Sequence, residues 1–365
     1  MIHLPKFLYI AVGLAVVIVA CGQNEAPTPP TPSTLIGPTS TGIPATPAPA
    51  SPIPPTAITA TAIPASPAAT NDQTTAPADE LRSGIPVYES VAIWGDAPAD
   101  GISFTSPNSI AIDSSDNVYV TEFRGNRVQK FTPGGALLAQ WGSEGSGDGQ
   151  FKNPTGIAID KDGNVYISES GNHRVQKFNA EGEWLSSWGS VGSGDGEFLS
   201  AMVIAADADG KLYVSDWGNG RVQIFDSGGS YLDTLALNGT GQGELANPTG
   251  IKVDSDANVW VVDRGNSRVQ KFTPTGDFLA MWGVEGDNPG QFRAPTSIAI
   301  DGKGNFYVAE VENSRVQIFN PEGEYLSELA PGSFSGPHGL AFDSKGDLYV
   351  GDTRNNLVKK FRLVD

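Results

Sequence analysis

KNPTGIAIDKDGNVYISESGNHRVQKFNAEGEWLSSWG, residues 152–189, contains four strand-like runs and no helix-period pattern. Ile157-Ala158-Ile159 is short and wholly apolar, and Val165-Tyr166-Ile167 follows an Asp-Gly-Asn turn. Arg174–Phe178 alternates polar and apolar residues, and Trp184–Trp188 alternates again after a Glu-Gly turn. Gly, Asn and Asp at every break are turn chemistry, so each run ends where the next begins. Working outward, Phe104, Phe151, Phe198, Leu245 and Phe292 stand 47 residues apart. Pro107, Pro154, Pro248 and Pro295 keep the same spacing, with Ala201 in the third slot. Four strands per unit at this period predict an all-β chain built of β-propeller blades.

Six first strands can be counted: Ile110–Asp113, Ile157–Asp160, Ile204–Asp207, Ile251–Asp254, Ile298–Asp301 and Leu340–Asp343. Being apolar, the first strand is expected innermost, packed on both faces, with the alternating fourth strand outermost. The sixth unit ends at Lys360-Phe361-Arg362, within its third strand. The missing strand lies at the other end, at Val91–Gly95, where Trp94 stands 47 residues before Trp141. This N-terminal strand is expected to complete the last blade and remove the open edge.

The motif Pro-x-Gly-φ-Ala-φ-Asp, then Gly-Asn-φ-Tyr-Val-x-Asp/Glu, then Asn-x-Arg-Val-Gln-φ-Phe resembles the NHL repeat over about 85–365, degraded at Ser200–Ala206. The resemblance implies a six-bladed propeller and says little about function, because one fold serves many functions.

The rest of the chain is not core. Fourteen of the 27 Pro lie between Gly22 and Gly84, in an extended Pro/Thr/Ala/Ser tract that reads as a disordered tether. Met1–Ala20 reads as an export signal, with Lys6 before a short apolar run. Ile18-Val19-Ala20-Cys21 resembles the lipobox of bacterial lipoproteins. That resemblance implies cleavage before Cys21 and lipidation of the chain's single Cys. The expected organisation is a signal over 1–20, a lipidated tether over 21–84 and a propeller over 85–365, held at the cell surface or outer membrane and touching the membrane only through its anchor.

Acids exceed bases 41 to 23 over the chain, which argues against nucleic acid as a partner. One Cys and three His exclude a disulfide framework and Cys-rich zinc sites. The recurrent carboxylates Glu122, Glu169, Asp216, Asp263, Glu310 and Asp352 are followed five residues later by Arg127, Arg174, Arg221, Arg268 and Arg315, with Leu357 in the sixth unit. They are expected to be structural ion pairs, one per blade, since chemistry needed once does not recur in every repeat. Asn172, Asn219, Asn266, Asn313 and Asn355 are expected to take left-handed turn positions or bond the backbone locally. Asp160-x-Asp162-x-Asn164 departs from a calcium loop by its misplaced Gly163 and reads as a hairpin turn, leaving calcium a minor alternative. The Gly-rich segments 142–149 and 189–196 lack a following helix or Lys-Ser/Thr and read as blade connections rather than phosphate cradles.

Functional expectation falls on positions that vary at one rim. The channel-mouth set is Asn108, Thr155, Met202, Thr249, Thr296 and His338. The ligand rim is Phe123, Arg124, Ser170, Trp217, Arg264, Glu312 and Arg354. Phe123 and Trp217, flanked by Arg124 and Arg264, are expected to form a contact patch for an extracellular protein or glycan. The layout is similar to the NHL sensor heads of some bacterial membrane kinases, a binding role without catalysis and with a monomer as default. The alternative is an enzyme. Gly336-Pro337-His338-Gly339-Leu340 is similar to the segment that carries a zinc-ligand His in peptidylamidoglycolate lyases, which implies a metal-assisted lyase or hydrolase near His338. That site needs three His, and the matching slots here hold none but His338.

Overall fold

The computed structural model describes residues 85–95 and 102–364. The expected signal, Cys21 and the tether lie outside them. Six antiparallel sheets follow one another. The first blade is Pro107–Ile112, Val118–Glu122, Arg127–Phe131 and Leu137–Trp141. The second runs from Pro154–Ile159 to Trp184–Trp188, and the third from Ala201–Ala206 to Tyr231–Asn238, where Glu244–Leu245 adds a short parallel fifth strand. The fourth runs from Pro248–Val253 to Phe278–Trp282, and the fifth from Pro295–Ile300 to Tyr325–Glu328.

The sixth blade contains Pro337–Phe342, Leu348–Asp352 and Leu357–Val364, and its outer strand is Val87–Trp94 from the N-terminus. Trp94 pairs with Val358, the position that Trp141 takes against Val128 and Trp188 against Val175. The closing strand therefore sits in the register of the other blades. Closure is reinforced on both sides of the seam. Ser106 N donates to Asn356 Oδ1 at 2.8 Å, and the Ser344 hydroxyl donates to Asp116 Oδ2 at 2.7 Å.

Hydrophobic packing lies between the blades. Each of the six buried clusters joins residues of two neighbouring blades. At the seam, Trp94, Tyr349 and Val358 of the last blade meet Phe104, Val118, Val120 and Phe131 of the first. The first strands are innermost, as the pattern predicts, but they are not the driest. The second strand of every blade is buried throughout, whereas the first strand is only partly so. The reason is the channel: all six first strands line it, so one side of each meets solvent space.

Trp94 is 6% exposed and carries the closing contact. Trp94→Ala is expected to cost about 3–5 kcal/mol of stability, as large aromatic truncations in cores do. Urea unfolding checks this as a lowered midpoint with an unchanged slope.

Candidate functional site at the channel mouth

The carboxylate that ends each second strand sits fully buried beneath the turn to the third strand. Its partners show why a buried charge is tolerated there. Glu169 accepts from Arg174 Nε at 2.6 Å, Gln176 Nε2 at 2.8 Å, Asn172 Nδ2 at 2.6 Å and the Lys152 backbone N–H at 2.9 Å. The Arg174 guanidinium then donates to the carbonyls of Ser146, Gly147 and Gln150 in the loop arriving from the first blade. A Gly-rich loop thus presents carbonyls to the next blade's arginine, which explains its composition without any phosphate.

The same ion pair occurs at Glu122–Arg127 (2.5 Å), Asp216–Arg221 (3.1 Å), Asp263–Arg268 (2.7 Å) and Glu310–Arg315 (2.6 Å). In the sixth blade Leu357 leaves the arginine slot empty, and Lys359 pairs with Asp352 at 2.7 Å instead. Lys359 occupies the slot of Gln129, Gln176, Gln223, Gln270 and Gln317, a compensation two residues away that the spacing rule missed.

The turn asparagines differ from expectation. Asn172 is not the left-handed residue; His173 is, with φ 55°. Asn126, Gly220, Ser267, Ser314 and Asn356 fill that slot elsewhere, so His173 occupies a backbone position of the turn. Asn172, Asn219, Asn266 and Asn313 instead donate to the buried carboxylate and to the incoming loop. Asn355 bonds Asp352 alone in the same way. On the opposite face, Asp160 fills Oδ1 with the N–H groups of Asp162 and Asn164, and Oδ2 with Asn164 Nδ2 and the Tyr166 hydroxyl. Its oxygens are used by the turn itself. Among the described residues no group of three or more His, Cys, Asp and Glu could hold a metal ion. The described residues include two His, His173 and His338, and so do not supply the three that a lyase-type zinc centre needs.

Three of the expected mouth residues are removed from it. Thr155, Thr249 and Thr296 are buried, and each hydroxyl donates to a carbonyl of the next blade's first strand or loop: Ala201, Pro295 and Pro337, at 3.0, 3.3 and 3.3 Å. A Thr after Pro is therefore a blade-to-blade staple. Asn108, Met202 and His338 are partly exposed. Phe123 is half-buried, Ser170 bonds the Asn153 carbonyl, and Trp217 is 41% exposed. Phe123 and Trp217 stand on the turns of the first and third blades, with the second blade between them.

The structure instead brings together Arg264, Glu312, His338 and Arg354 from the fourth, fifth and sixth blades. The His338 Nδ1 lies 3.2 Å from the Gly336 carbonyl, so the tautomer assigned here donates from Nδ1 and leaves Nε2 as an acceptor. Gly336 has φ 60°, and the Arg354 side chain lies directly over it. A Cβ there would meet Arg354 Cδ at 2.9 Å, so glycine is what lets the guanidinium approach. Loss of water pushes the His338 pKa down to about 4, and the positive charges of Arg264 and Arg354 push the same way against the Gly336 carbonyl. Burial also lowers Arg264, while Glu312 beside it acts in the opposite sense. The mouth thus offers two guanidinium groups and a neutral imidazole.

Residues 101–360 match the virginiamycin B lyase family. No curated protein matches the sequence. Among solved structures, a gluconolactonase from Xanthomonas campestris is 16% identical over 82% of this chain and 99% of its own, with a TM-score of 0.59. A catalytically inactive His-to-Ala variant of virginiamycin B lyase from Staphylococcus aureus, with quinupristin, is 15% identical over 71% of this chain and 80% of its own, at 0.52. The nidogen/laminin complex gives 18% identity over 64% of this chain and 83% of its own, at 0.51. At these identities the likeness shows the propeller fold.

Between about pH 6.5 and 4 the unfolded chain binds a proton at His338 that the folded protein refuses. Folding stability contributed by this site is therefore complete above pH 6.5 and falls as the pH drops toward 4. His338→Gln is expected to flatten that part of the pH–stability curve, read from denaturant unfolding of both proteins at each pH.

Proposed function

Because the chain belongs to the virginiamycin B lyase family, we propose that it uses the family's propeller as an extracytoplasmic binding head for an acidic ligand, an acidic glycan by preference. The observation that carries this reading is the pair Arg264 and Arg354 flanking His338 at the channel mouth, with Arg124 exposed on the same face. Acids outnumber bases 41 to 23 in the chain, so a concentration of guanidinium groups on one rim is a local departure from its charge. Guanidinium groups pair carboxylates through two parallel hydrogen bonds. The exposed Trp217 on the same face offers a flat apolar surface on which a sugar ring can lie. The Cys21 motif and the Pro-rich tract would hold the head on a lipid anchor, off the membrane surface.

A second reading, catalysis, is favoured by one observation. His338 is neutral at pH 7 with Nε2 available, as a general base requires, and a relative that loses one His is described as catalytically inactive. It is weakened by the lack of partners. The recurrent carboxylates are consumed by structural bonds, and Glu312 is the remaining acid of the cluster.

Titration of the protein with trigalacturonate, a carboxylate-bearing oligosaccharide, separates the two. Binding that falls at least tenfold in Arg264→Ala/Arg354→Ala, weakens with salt and leaves the sugar intact is the expected result. No binding, together with His338-dependent turnover of a lactone or cyclic ester panel, would replace the binding head with an enzyme.

A further inference from the structure

The fifth position of each first strand is Ala111, Ala158, Ala205, Lys252, Ala299 and Ala341. Five alanines and one lysine thus form one ring around the axis. The cavity there has a volume of about 310 Å³ and is lined by the six first strands. Among its lining residues Lys252 is the single ionisable side chain; the others are Ile, Val, Ala, Leu, Phe and Ser. Lys252 is accessible from the channel, yet protein surrounds it on every side, and this loss of bulk water lowers its pKa from the ordinary lysine value.

Other lysines of the blades show what is missing. Lys271 meets Asp254 at 3.0 Å, Lys359 meets Asp352 at 2.7 Å, and Lys360 meets Asp343 and Asp347 at 3.1 and 2.8 Å. The Lys252 ammonium has no ion pair or hydrogen bond among the described residues. The first strand of each blade is bonded on one edge only, so its other edge turns backbone N–H and C=O groups to the channel. These groups carry no net charge. The one net charge on the wall is positive.

We propose that the central channel is a binding site for a small organic monocarboxylate, whose carboxylate pairs with the Lys252 ammonium and backbone N–H groups while its apolar body rests on the surrounding Ala and Ile side chains. Three positions along the strand separate Lys252 from Thr249, the counterpart of His338, a depth of roughly 10 Å at strand rise. The site is therefore distinct from the channel mouth and does not depend on the function proposed there.

The test is calorimetric titration of the protein with benzoate and with its neutral analogue benzamide. Lys252→Ala restores the residue of the other five blades, so this variant is expected to fold with a melting temperature equal to or above that of the parent. One benzoate per chain is expected to bind, with benzamide at least tenfold weaker. Lys252→Ala should lose at least tenfold in benzoate affinity, and Arg264→Ala/Arg354→Ala should keep it. In protein carrying ¹³C-labelled lysine, the Lys252 signal should titrate at higher pH with benzoate present. Benzoate affinity unchanged in Lys252→Ala, or no benzoate binding by the parent, would overturn the proposal. If binding is lost only in the double arginine variant, the proposal falls and the mouth reading stands.

Discussion

Each blade depends on a carboxylate that is fully buried at the end of its second strand. Removing such a charge from water is expensive unless its oxygens are satisfied and a counter-charge is close. Here an Arg, a Gln, an Asn and a backbone N–H converge on Glu169, and Glu310 has the same set. The arginine continues outward to carbonyls of the loop from the preceding blade. One network thus fixes the second strand, the third strand, the turn between them and the connection between blades. That turn and that connection form the rim of the mouth, so the clamp sets the positions of Arg264, Glu312 and Arg354 without being part of their chemistry.

Much of this was legible in the sequence because it recurs. A period of 47 residues, turn residues at fixed places and a displaced Trp94 suffice to count six blades and to close the last with the N-terminus. What recurs only in side-chain geometry was harder. Thr155 looks polar and available beside Pro154, but its hydroxyl is spent on the next blade, a contact between residues 46 apart. Leu357 looks like a lost ion pair until Lys359 is seen reaching the same carboxylate. The left-handed turn slot accepts Asn, His, Gly or Ser, so the neighbouring Asn drew the assignment by composition alone. The cluster of Arg264, Glu312, His338 and Arg354 spans three blades and has no motif.

The division between recurrent and singular residues organises the functional picture. The recurrent carboxylates at the second-strand ends are paired and buried, whereas Arg264, Arg354 and Lys252 face the mouth or the channel. A chain with a large excess of acid thus presents cationic groups along its axis, at Arg264 and Arg354 on the rim and at Lys252 within. Kinship with the virginiamycin B lyase family gives the scaffold, and the identity of these singular residues decides what the scaffold binds.

The direct test of that division is to compare Glu169→Ala with Arg354→Ala in one pair of measurements, urea unfolding and binding of the acidic oligosaccharide well below the melting point. Leaving Arg174 without its buried partner should cost about 3–5 kcal/mol in Glu169→Ala, with affinity nearly unchanged. Arg354→Ala should unfold within about 0.5 kcal/mol of the parent, as surface changes do, and lose affinity. The reverse pattern, a stable Glu169→Ala that no longer binds and a destabilised Arg354→Ala that still does, would place function in the recurrent carboxylates and contradict the account.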